Sequence, residues 1–325
     1  IHTVVDGMAT ILSKEQLNLL ENILTQALDS YEVIPSISEE EQQAKANAEL
    51  LQAYLSAKKI EGCSEKTIGY YQSTIDTLFV AVCKPVCDVT TNDIRNYLSG
   101  YQEQRKVSRV TIDNMRRIFS SFFAWLEDED FIVKSPVRRI HRVRTESLVK
   151  EVLTDENMEV LRDSCQEIRD IAMIDLLAST GMRVGELVNL NREDIDFHER
   201  QCVVFGKGNK EREVYFNART KIHLQNYLSS RTDDNPALFV SLSNPHSRLS
   251  ISGVEVRLRT LGRKVNIAKV HPHKFRRTLA TMAIDKGMPI EQVQRLLGHV
   301  KIDTTLHYAM VNQNNVKMAH RKYIG

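Results

Sequence analysis

Six side chains of this chain suit chemistry on a phosphodiester, and they occur in a fixed order. They are two arginines, one lysine, two histidines and one tyrosine: Arg183, Lys207, His273, Arg276, His299 and Tyr308. A guanidinium can bind two phosphate oxygens at once, and a phenol can act as a nucleophile. Together they could bind a phosphodiester and attack it without a metal ion, which indicates a nucleic acid backbone as the substrate.

Arg183 follows a glycine that ends an apolar helix predicted over residues 168–180. Its guanidinium would project from a rigid corner, where it could bind a phosphate. Glu186 lies one helical turn further on and could hold that guanidinium in place. Taken without the other residues, the two are typical of an ordinary surface ion pair.

Lys207 lies in a predicted turn between two strands. A lysine at a hairpin tip could reach a minor groove and donate a proton to a leaving 5′-oxygen, provided that its pKa is lowered. Lys210 in the same turn is a competing candidate, and a solvated turn lysine is the ordinary alternative. The neighbouring glycines do not form a phosphate-binding loop, because no Walker pattern follows them.

His273 and Arg276 are three residues apart and share one face of a helix predicted to begin near Pro272. Arg276 would give a second phosphate contact, and His273 could accept a proton or donate to a phosphate at neutral pH. Arg277 would point elsewhere and contact the nucleic acid backbone.

His299 follows a helix predicted over residues 290–297, a position that suits a hydrogen-bond donor. No carboxylates or thiols with metal-ligand spacing surround it, so we expect no metal site. A phenol has a pKa near ~10, so Tyr308 would need positive surroundings or a base to act as a nucleophile. Considered alone, Tyr308 would be an ordinary amphipathic residue, and only the whole set of six residues indicates a nucleophile.

Helix caps and apolar spacing predict a mainly α-helical chain with a small antiparallel β-sheet, which is an α+β fold. The predicted parts are an N-terminal helix and linker (1–43), a helical domain (44–131), a basic linker (132–152), and a domain with the candidate site and a C-terminal tail helix (153–325). The first helix of the 44–131 domain is predicted over about 45–59, and the strands over 195–197, 201–205 and 212–216.

The charge is distributed unevenly although the net charge is only +2. One acid-free stretch from 256 to 284 carries Arg257, Arg259, Arg263, Lys264, Lys269, Lys274, Arg276 and Arg277. A second run comprises Lys134, Arg138, Arg139, Arg142 and Arg144, of which Arg138, Arg139 and Arg142 are our candidates for DNA contacts. Such runs suggest a positive face that binds a polyanion, and solvated helix faces are the alternative.

The remaining sequence features favour a cytoplasmic protein. Five scattered cysteines do not indicate a disulfide framework, so buried free thiols in a reducing compartment are expected. No stretch approaches the ~18 apolar residues of a membrane span, and the N-terminus lacks a signal-peptide pattern.

The order of the motifs resembles that of the tyrosine recombinase family, which includes phage integrases and Xer-type recombinases. The resemblance rests on Gly-Met-Arg-Val-Gly-Glu-Leu (181–187), Gly-Lys-Gly-Asn-Lys-Glu-Arg (206–212), His-x-x-Arg-Arg-Thr (273–278), Leu-Gly-His (297–299) and the tyrosine nine residues later. It covers about residues 150–321, and the helical 44–131 part is similar to the core-binding domain of the family. It implies that the six residues named first form the active site, with Glu186 as a supporting acid.

The resemblance also implies a substrate and a mechanism. Two domains would clamp double-stranded DNA at a specific site, and Tyr308 would form a 3′-phosphotyrosine while Lys207 protonates the leaving 5′-oxygen. The arginines and His299 would stabilise the phosphorane, and His273 would assist proton transfer. Because one phosphodiester replaces another, no cofactor is expected.

Assembly is implied as well. Four protomers on two DNA sites would exchange strands through a Holliday junction at the bacterial nucleoid, with a DNA-bending or directionality protein as a possible accessory. The tail helix 312–325 would dock into a neighbouring subunit, and packing within its own chain is the alternative. The first 40 residues are shorter than the arm-binding domain of some phage integrases, which favours a simpler recombinase.

Several functions stay open at this stage. We expect an integrase of a mobile element or phage, and Xer-like dimer resolution is the alternative. A type IB topoisomerase would relax supercoils without a target site, and a catalytically silent DNA-binding protein would bind without cleaving. A metal-dependent nuclease would need an acidic cluster, which the sequence lacks.

Overall fold

The computed structural model describes residues 1–28, 38–144, 151–206, 211–299, 302 and 305–306. The chain forms two compact units, Ile1–Glu146 and Ser147–Gly325, here called the N-terminal and C-terminal units. The described parts are mainly helical, with a three-stranded antiparallel sheet in the C-terminal unit. The predicted fold class is therefore confirmed.

Side-chain caps begin four helices of the N-terminal unit, and apolar residues on these helices form its core. Where this unit is described, its helices are α1 (His2–Met8), α2 (Lys14–Leu28), α3 (Glu39–Ile60), α4 (Glu65–Val82), α5 (Thr91–Arg105) and α6 (Arg109–Asp128). The largest apolar stripe lies on α6 and buries Ile112, Met115, Ile118, Phe119, Phe122, Phe123 and Leu126. These side chains form a large part of the core of the unit.

Helix α3 begins before its predicted start near residue 45. The Ser38 side chain accepts a hydrogen bond from the Glu41 backbone, and the Glu41 carboxylate accepts one from the Ser38 backbone. This reciprocal cap lets the helix begin at Glu39, because it satisfies two N–H groups that would otherwise lack partners.

Much of the basic segment predicted as a linker packs on the N-terminal unit. Val137 is buried, and Ile132, Ile140 and Val143 pack against the same core. The sequence pattern hid this packing, because these apolar residues alternate irregularly with basic ones around a short 3-10 helix, Pro136–Arg139. The basic residues of the segment are exposed: Lys134, Arg138, Arg139, Arg142 and Arg144.

The C-terminal unit is built around helix α8. Its described helices are α7 (Asp155–Asp163), α8 (Ile168–Thr180), α9 (Val184–Asn189), α10 (Ala218–Ser229), α11 (Ile251–Lys264), α12 (Pro272–Asp285) and α13 (Ile290–Leu297). Its strands are β1 (Ile195–Asp196), β2 (Gln201–Phe205) and β3 (Glu211–Tyr215), in the order β1-β2-β3. Helix α8 packs against α10, α12 and β3, so most of its side chains are buried.

The β2–β3 pair positions one edge of the candidate site. Val204 pairs with Arg212, and Cys202 pairs with Val214. Cys202, Val204 and Val214 enter the core, while the alternate residues face outward, as expected for a sheet covered on one face. The turn predicted at 207–210, with Lys207 and Lys210, lies outside the described residues.

Part of the acid-free basic stretch points inward rather than toward solvent. Lys274 is buried and donates to the Ala268 carbonyl. Arg257 binds the buried carboxylate of Asp170, which Arg169 also binds. The exposed positive face is therefore smaller than the sequence suggested, because Arg257 and Asp170 are 87 residues apart in the chain and a local charge count does not show their contact.

All five cysteines are free thiols. Along the described ranges, every helix falls short of the length and apolarity that a membrane crossing requires.

Candidate functional site

Arg183 lies at the corner between α8 and α9. Helix α8 ends at Gly181, whose φ of +60° is a conformation that favours glycine. A Cβ at this glycine would lie 2.7 Å from Leu279 Cδ2, so the corner also leaves no space for a side chain. Arg183 then caps α9, and its backbone N–H donates to Glu186 Oε2 over 2.8 Å. The corner is fixed by local geometry, as the sequence predicted.

Glu186 binds two arginines. Its Oε1 accepts from Arg183 Nη1 at 2.8 Å and from Arg212 Nη1 at 2.6 Å. Its Oε2 accepts from Arg212 Nη2 at 2.7 Å. Burial acts to raise the pKa of this carboxyl, yet the hydrogen bonds from Arg212 and Arg183 hold the pKa below its ordinary value. Glu186 is therefore an ionised carboxylate that fixes both guanidiniums.

Arg276 projects from the first half of α12 into the protein. Its side chain is buried, and Nη1 donates to the Gly181 carbonyl over 2.7 Å. Its Nη2 donates to the Leu297 carbonyl. One guanidinium thus joins the ends of α8 and α13.

The carboxyl end of α13 accepts hydrogen bonds from three arginines, here called the arginine cluster: Arg183, Arg212 and Arg276. Arg212 Nε donates to the Leu296 carbonyl at 3.3 Å, and Arg183 Nη2 donates to the Gly298 carbonyl at 3.1 Å. Together with the contact from Arg276, these bonds satisfy three successive carbonyls. The last carbonyls of a helix lack partners within it and carry partial negative charge, so cations suit this position.

His299 follows directly on this helix end. Its Nδ1 lies 2.9 Å from Oγ1 of the buried Thr305, and its backbone N–H donates to the Gln294 carbonyl. Burial lowers the pKa of the imidazole to about 4, and the charges of Arg276 and Arg183 add to this effect. The ring is therefore neutral at neutral pH, and a neutral imidazole keeps one N–H to donate.

His273 lies at the exposed rim of the same site. Desolvation by its surroundings lowers its pKa, and the charges of Arg276, Arg183 and Arg277 lower it further. The same two arginines thus act on both histidines. A neutral His273 is free to accept a proton from a nucleophile.

The structure brings together the described members of the predicted set: Arg183, Glu186, His273, Arg276 and His299. Tyr308, Lys207, Lys210 and the tail 312–325 lie outside the described residues. Arg277 is half-buried, and its Nε has no hydrogen-bond partner among the described residues. The exposed Arg138, Arg139 and Arg142 belong to the N-terminal unit.

Arg212 was not among the predicted site residues. It is the last residue of the Gly-Lys-Gly-Asn-Lys-Glu-Arg motif, so a signal existed. Its contacts with Glu186 and Leu296 bridge sequence separations of 26 and 84 residues, which no local pattern reveals.

Chemically, the site is suited to an anion. Arg183 and Arg212 bind one carboxylate, Arg276 bonds the end of α13 beside them, and the charges of Arg183 and Arg276 act on two neutral histidines. Within the described residues no three His, Cys, Asp or Glu side chains are grouped as metal ligands. A phosphoryl group fits these donors, because guanidiniums bind phosphate oxygens in pairs.

Gly298→Ala should weaken the binding of a phosphate analogue, because it displaces a side chain of the site in addition to straining the backbone. Gly298 has a φ of +64°, and a Cβ there would lie 2.9 Å from Arg212 Cδ. Strain in this region costs about 1–2 kcal/mol, and Arg212 would have to move as well. Gly287→Ala is the matched control, since Gly287 has a φ of +91° and open space around it. Thermal unfolding and phosphate-analogue binding are measured for both variants, and only Gly298→Ala should lose binding. Equal loss of binding in the two variants would contradict this prediction.

His299 should make the fold sensitive to acid. Its pKa is about 4 in the folded chain and near the ordinary 6.5 when unfolded. Between these values the unfolded chain takes up a proton that the folded chain refuses, so stability falls as pH drops from 6.5 to 4. Urea unfolding of wild type and His299→Gln at several pH values measures this difference. His299→Gln should lose less stability than wild type as the pH falls through this range. Equal losses in the two proteins would contradict the lowered pKa of His299.

Comparison with known proteins identifies the family of this chain. The phage integrase family model matches residues 151–315, and the phage integrase N-terminal SAM-like domain matches residues 50–132. A tyrosine recombinase XerC from Staphylococcus aureus (strain bovine RF122 / ET3-1) is 30% identical over 284 residues, which is 83% of this chain and 94% of that protein.

Two solved structures extend the comparison. XerA recombinase is 28% identical, with 86% of this chain and 99% of that chain covered and a TM-score of 0.50. The Tn1549 transposon integrase, in complex with a circular intermediate DNA, is 20% identical and shares the fold, with 84% and 98% covered and a TM-score of 0.69. The chain therefore belongs to the phage integrase family of tyrosine recombinases, enzymes that cleave and rejoin DNA at specific sites.

Proposed function

We propose that this chain recombines DNA at a specific site with an active site formed by Arg183, Lys207, His273, Arg276, His299 and Tyr308. The observation that carries the proposal is the convergence of Arg183 and Arg276 beside His299 at the end of α13. Fixed donors around an anion stabilise charge that develops in a transition state, and one such donor is worth about 10²–10³-fold in rate.

The proposed reaction transfers a phosphoryl group twice. Tyr308 Oη attacks the scissile phosphorus, His273 accepts the phenol proton, and the bond to the 5′-oxygen breaks. Lys207 supplies a proton to that oxygen, which leaves as a 5′-hydroxyl, and the DNA stays attached as a 3′-phosphotyrosine. A 5′-hydroxyl of the partner strand then reverses these steps. Each step forms one phosphoester as it breaks another, so no external energy source is needed.

Contacts to the DNA backbone are proposed for basic side chains outside the active site. The candidates are Arg138, Arg139, Arg142, Lys210 and Arg277. The exposure of the first three supports this role. Phosphate contacts account for most non-specific affinity and make it dependent on salt. Since the proposed substrate is DNA, we place the protein at the nucleoid of a bacterial cytoplasm.

A covalent trap tests the proposal. A nicked duplex carrying a site from the DNA that flanks the gene is incubated with wild type or Tyr308→Phe in the presence of a chelator. A slow-migrating protein–DNA band on a denaturing gel is expected with wild type only. An equal band with Tyr308→Phe would refute the assigned nucleophile, and tight binding without any band would favour a catalytically silent DNA-binding protein.

For the biological role we propose integration and excision of a mobile element or phage. The match of residues 151–315 to the phage integrase family supports this role. The 30% identity to XerC favours a second candidate, resolution of chromosome or plasmid dimers. Recombination assays with element-end sites and with chromosomal terminus sites distinguish the two, because each role predicts activity on one substrate class.

We propose that four protomers act on two sites through a Holliday junction, and that the tail 312–325 docks into a neighbouring subunit. Deleting the tail should leave binding to a single site nearly unchanged and abolish strand exchange between two sites. Gel-shift and recombination assays on the same preparation measure both. Full recombination by the truncated chain would refute docking in trans.

A further inference from the structure

Arg212 lies at the centre of the arginine cluster, although it is not one of the six proposed active-site residues. It is on β3, and its side chain is 12% exposed. Its two terminal nitrogens donate to the two oxygens of Glu186 at 2.6 and 2.7 Å. This is the paired, planar geometry in which an arginine binds a carboxylate most strongly.

The same guanidinium also contacts the end of α13. Its Nε donates to the Leu296 carbonyl at 3.3 Å. Its side chain packs so closely on Gly298 that a Cβ there would lie 2.9 Å from Arg212 Cδ and 3.2 Å from Nε. Arg212 therefore touches both groups that hold the Arg183 side chain, which are Glu186 and Gly298.

We infer that Arg212 is a positioning residue for the proposed reaction: it orients Arg183 through Glu186 and fixes the end of α13 that carries His299. The inference rests on the proposed function.

The contacts argue against a direct role in catalysis. Each of the three nitrogens of Arg212 already donates to a protein oxygen. By contrast, the Arg183 side chain is 35% exposed and remains accessible to a phosphate. Arg212 thus acts on substrate through its neighbours.

The Arg212→Lys variant tests the planar geometry of the guanidinium separately from its positive charge. Lysine keeps the positive charge but is a point donor without the planar fork, so it cannot bind both Glu186 oxygens and the Leu296 carbonyl in the same way. Arg231→Lys is the matched control. Arg231 also binds one carboxylate through two nitrogens, that of Asp233, and donates to backbone carbonyls, but its partners lie outside the arginine cluster.

The test measures adduct formation on the suicide duplex, DNA affinity and thermal unfolding for both variants. Loss of orientation predicts a fall of about 10²-fold in the rate of adduct formation for Arg212→Lys, with DNA affinity unchanged and thermal stability lowered no more than in Arg231→Lys. An Arg212→Lys rate equal to that of the control would overturn the inference while leaving the proposed function intact.

A second measurement does not depend on activity. Burial is the main cause of the low pKa of His299, and the charges of Arg276, Arg183 and Arg212 add to it, so Arg212→Met should raise that pKa from about 4 in an NMR titration. If wild type formed no adduct, the proposed function would fail. The titration would still test whether Arg212 lies close to His299. An unchanged His299 pKa in Arg212→Met would overturn the inference.

Discussion

Replacing Arg276 with lysine should slow covalent adduct formation by about 10²–10³-fold, the usual effect of losing one charge-stabilising donor. The buried guanidinium bonds the carbonyls of Gly181 and Leu297, and in the proposed reaction it also faces the phosphate. Lysine has one nitrogen in place of the planar fork, so it cannot make all these contacts together. Single-turnover kinetics on the suicide duplex measure the rate.

Arg169→Lys is the control for this substitution. Arg169 is also a buried arginine that donates to a backbone carbonyl, that of Val240, and it lies outside the arginine cluster. Both variants should be less stable than wild type, and only Arg276→Lys should form the covalent adduct more slowly. Comparable rates for the two variants would show that Arg276 acts only through the fold.

Glu186→Gln should have the second large effect, because it removes the charge that two arginines share. Glu186 is 4% exposed and accepts from Arg183 and Arg212. Breaking such a buried ionic contact costs roughly 3–5 kcal/mol. The loss of Arg183 orientation should slow adduct formation by about 10²-fold. Urea unfolding and single-turnover kinetics measure the two effects separately.

Asp170→Asn is the matched control for Glu186→Gln. Asp170 is fully buried and also binds two arginines, Arg169 and Arg257. The control should be destabilised to a similar degree, yet the folded fraction should still form adduct at the wild-type rate. If both variants lost adduct formation in parallel, Glu186 would have no special relation to the active site.

Local features of the sequence predicted much of the fold. Helices α8 and α13 have the predicted bounds 168–180 and 290–297, because Gly181 and Gly298 end them in left-handed conformations. The strands match the predicted alternation to within one residue. The Arg183–Glu186 contact was predicted as well, since the two residues are one helical turn apart.

Long-range contacts account for what the sequence did not reveal. Arg212 meets Glu186 and Leu296 across large separations in the chain, and Arg183 meets Gly298 across 115 residues. The inward position of Arg257 depends on Asp170, which is 87 residues away in the chain. Each of these contacts depends on how helices and strands pack against one another, which the spacing of residues along one helix does not encode.

The most direct test of the account is to identify the amino acid that is joined to DNA. The trapped adduct is digested with nuclease and trypsin, and the peptides are sequenced by mass spectrometry. Tyr308 is the tyrosine in the tryptic peptide Ile302–Lys317. The account predicts that this peptide carries a nucleotide through its 3′-phosphate on Tyr308. A nucleotide on any other residue, or attachment through a 5′-phosphate, would contradict it.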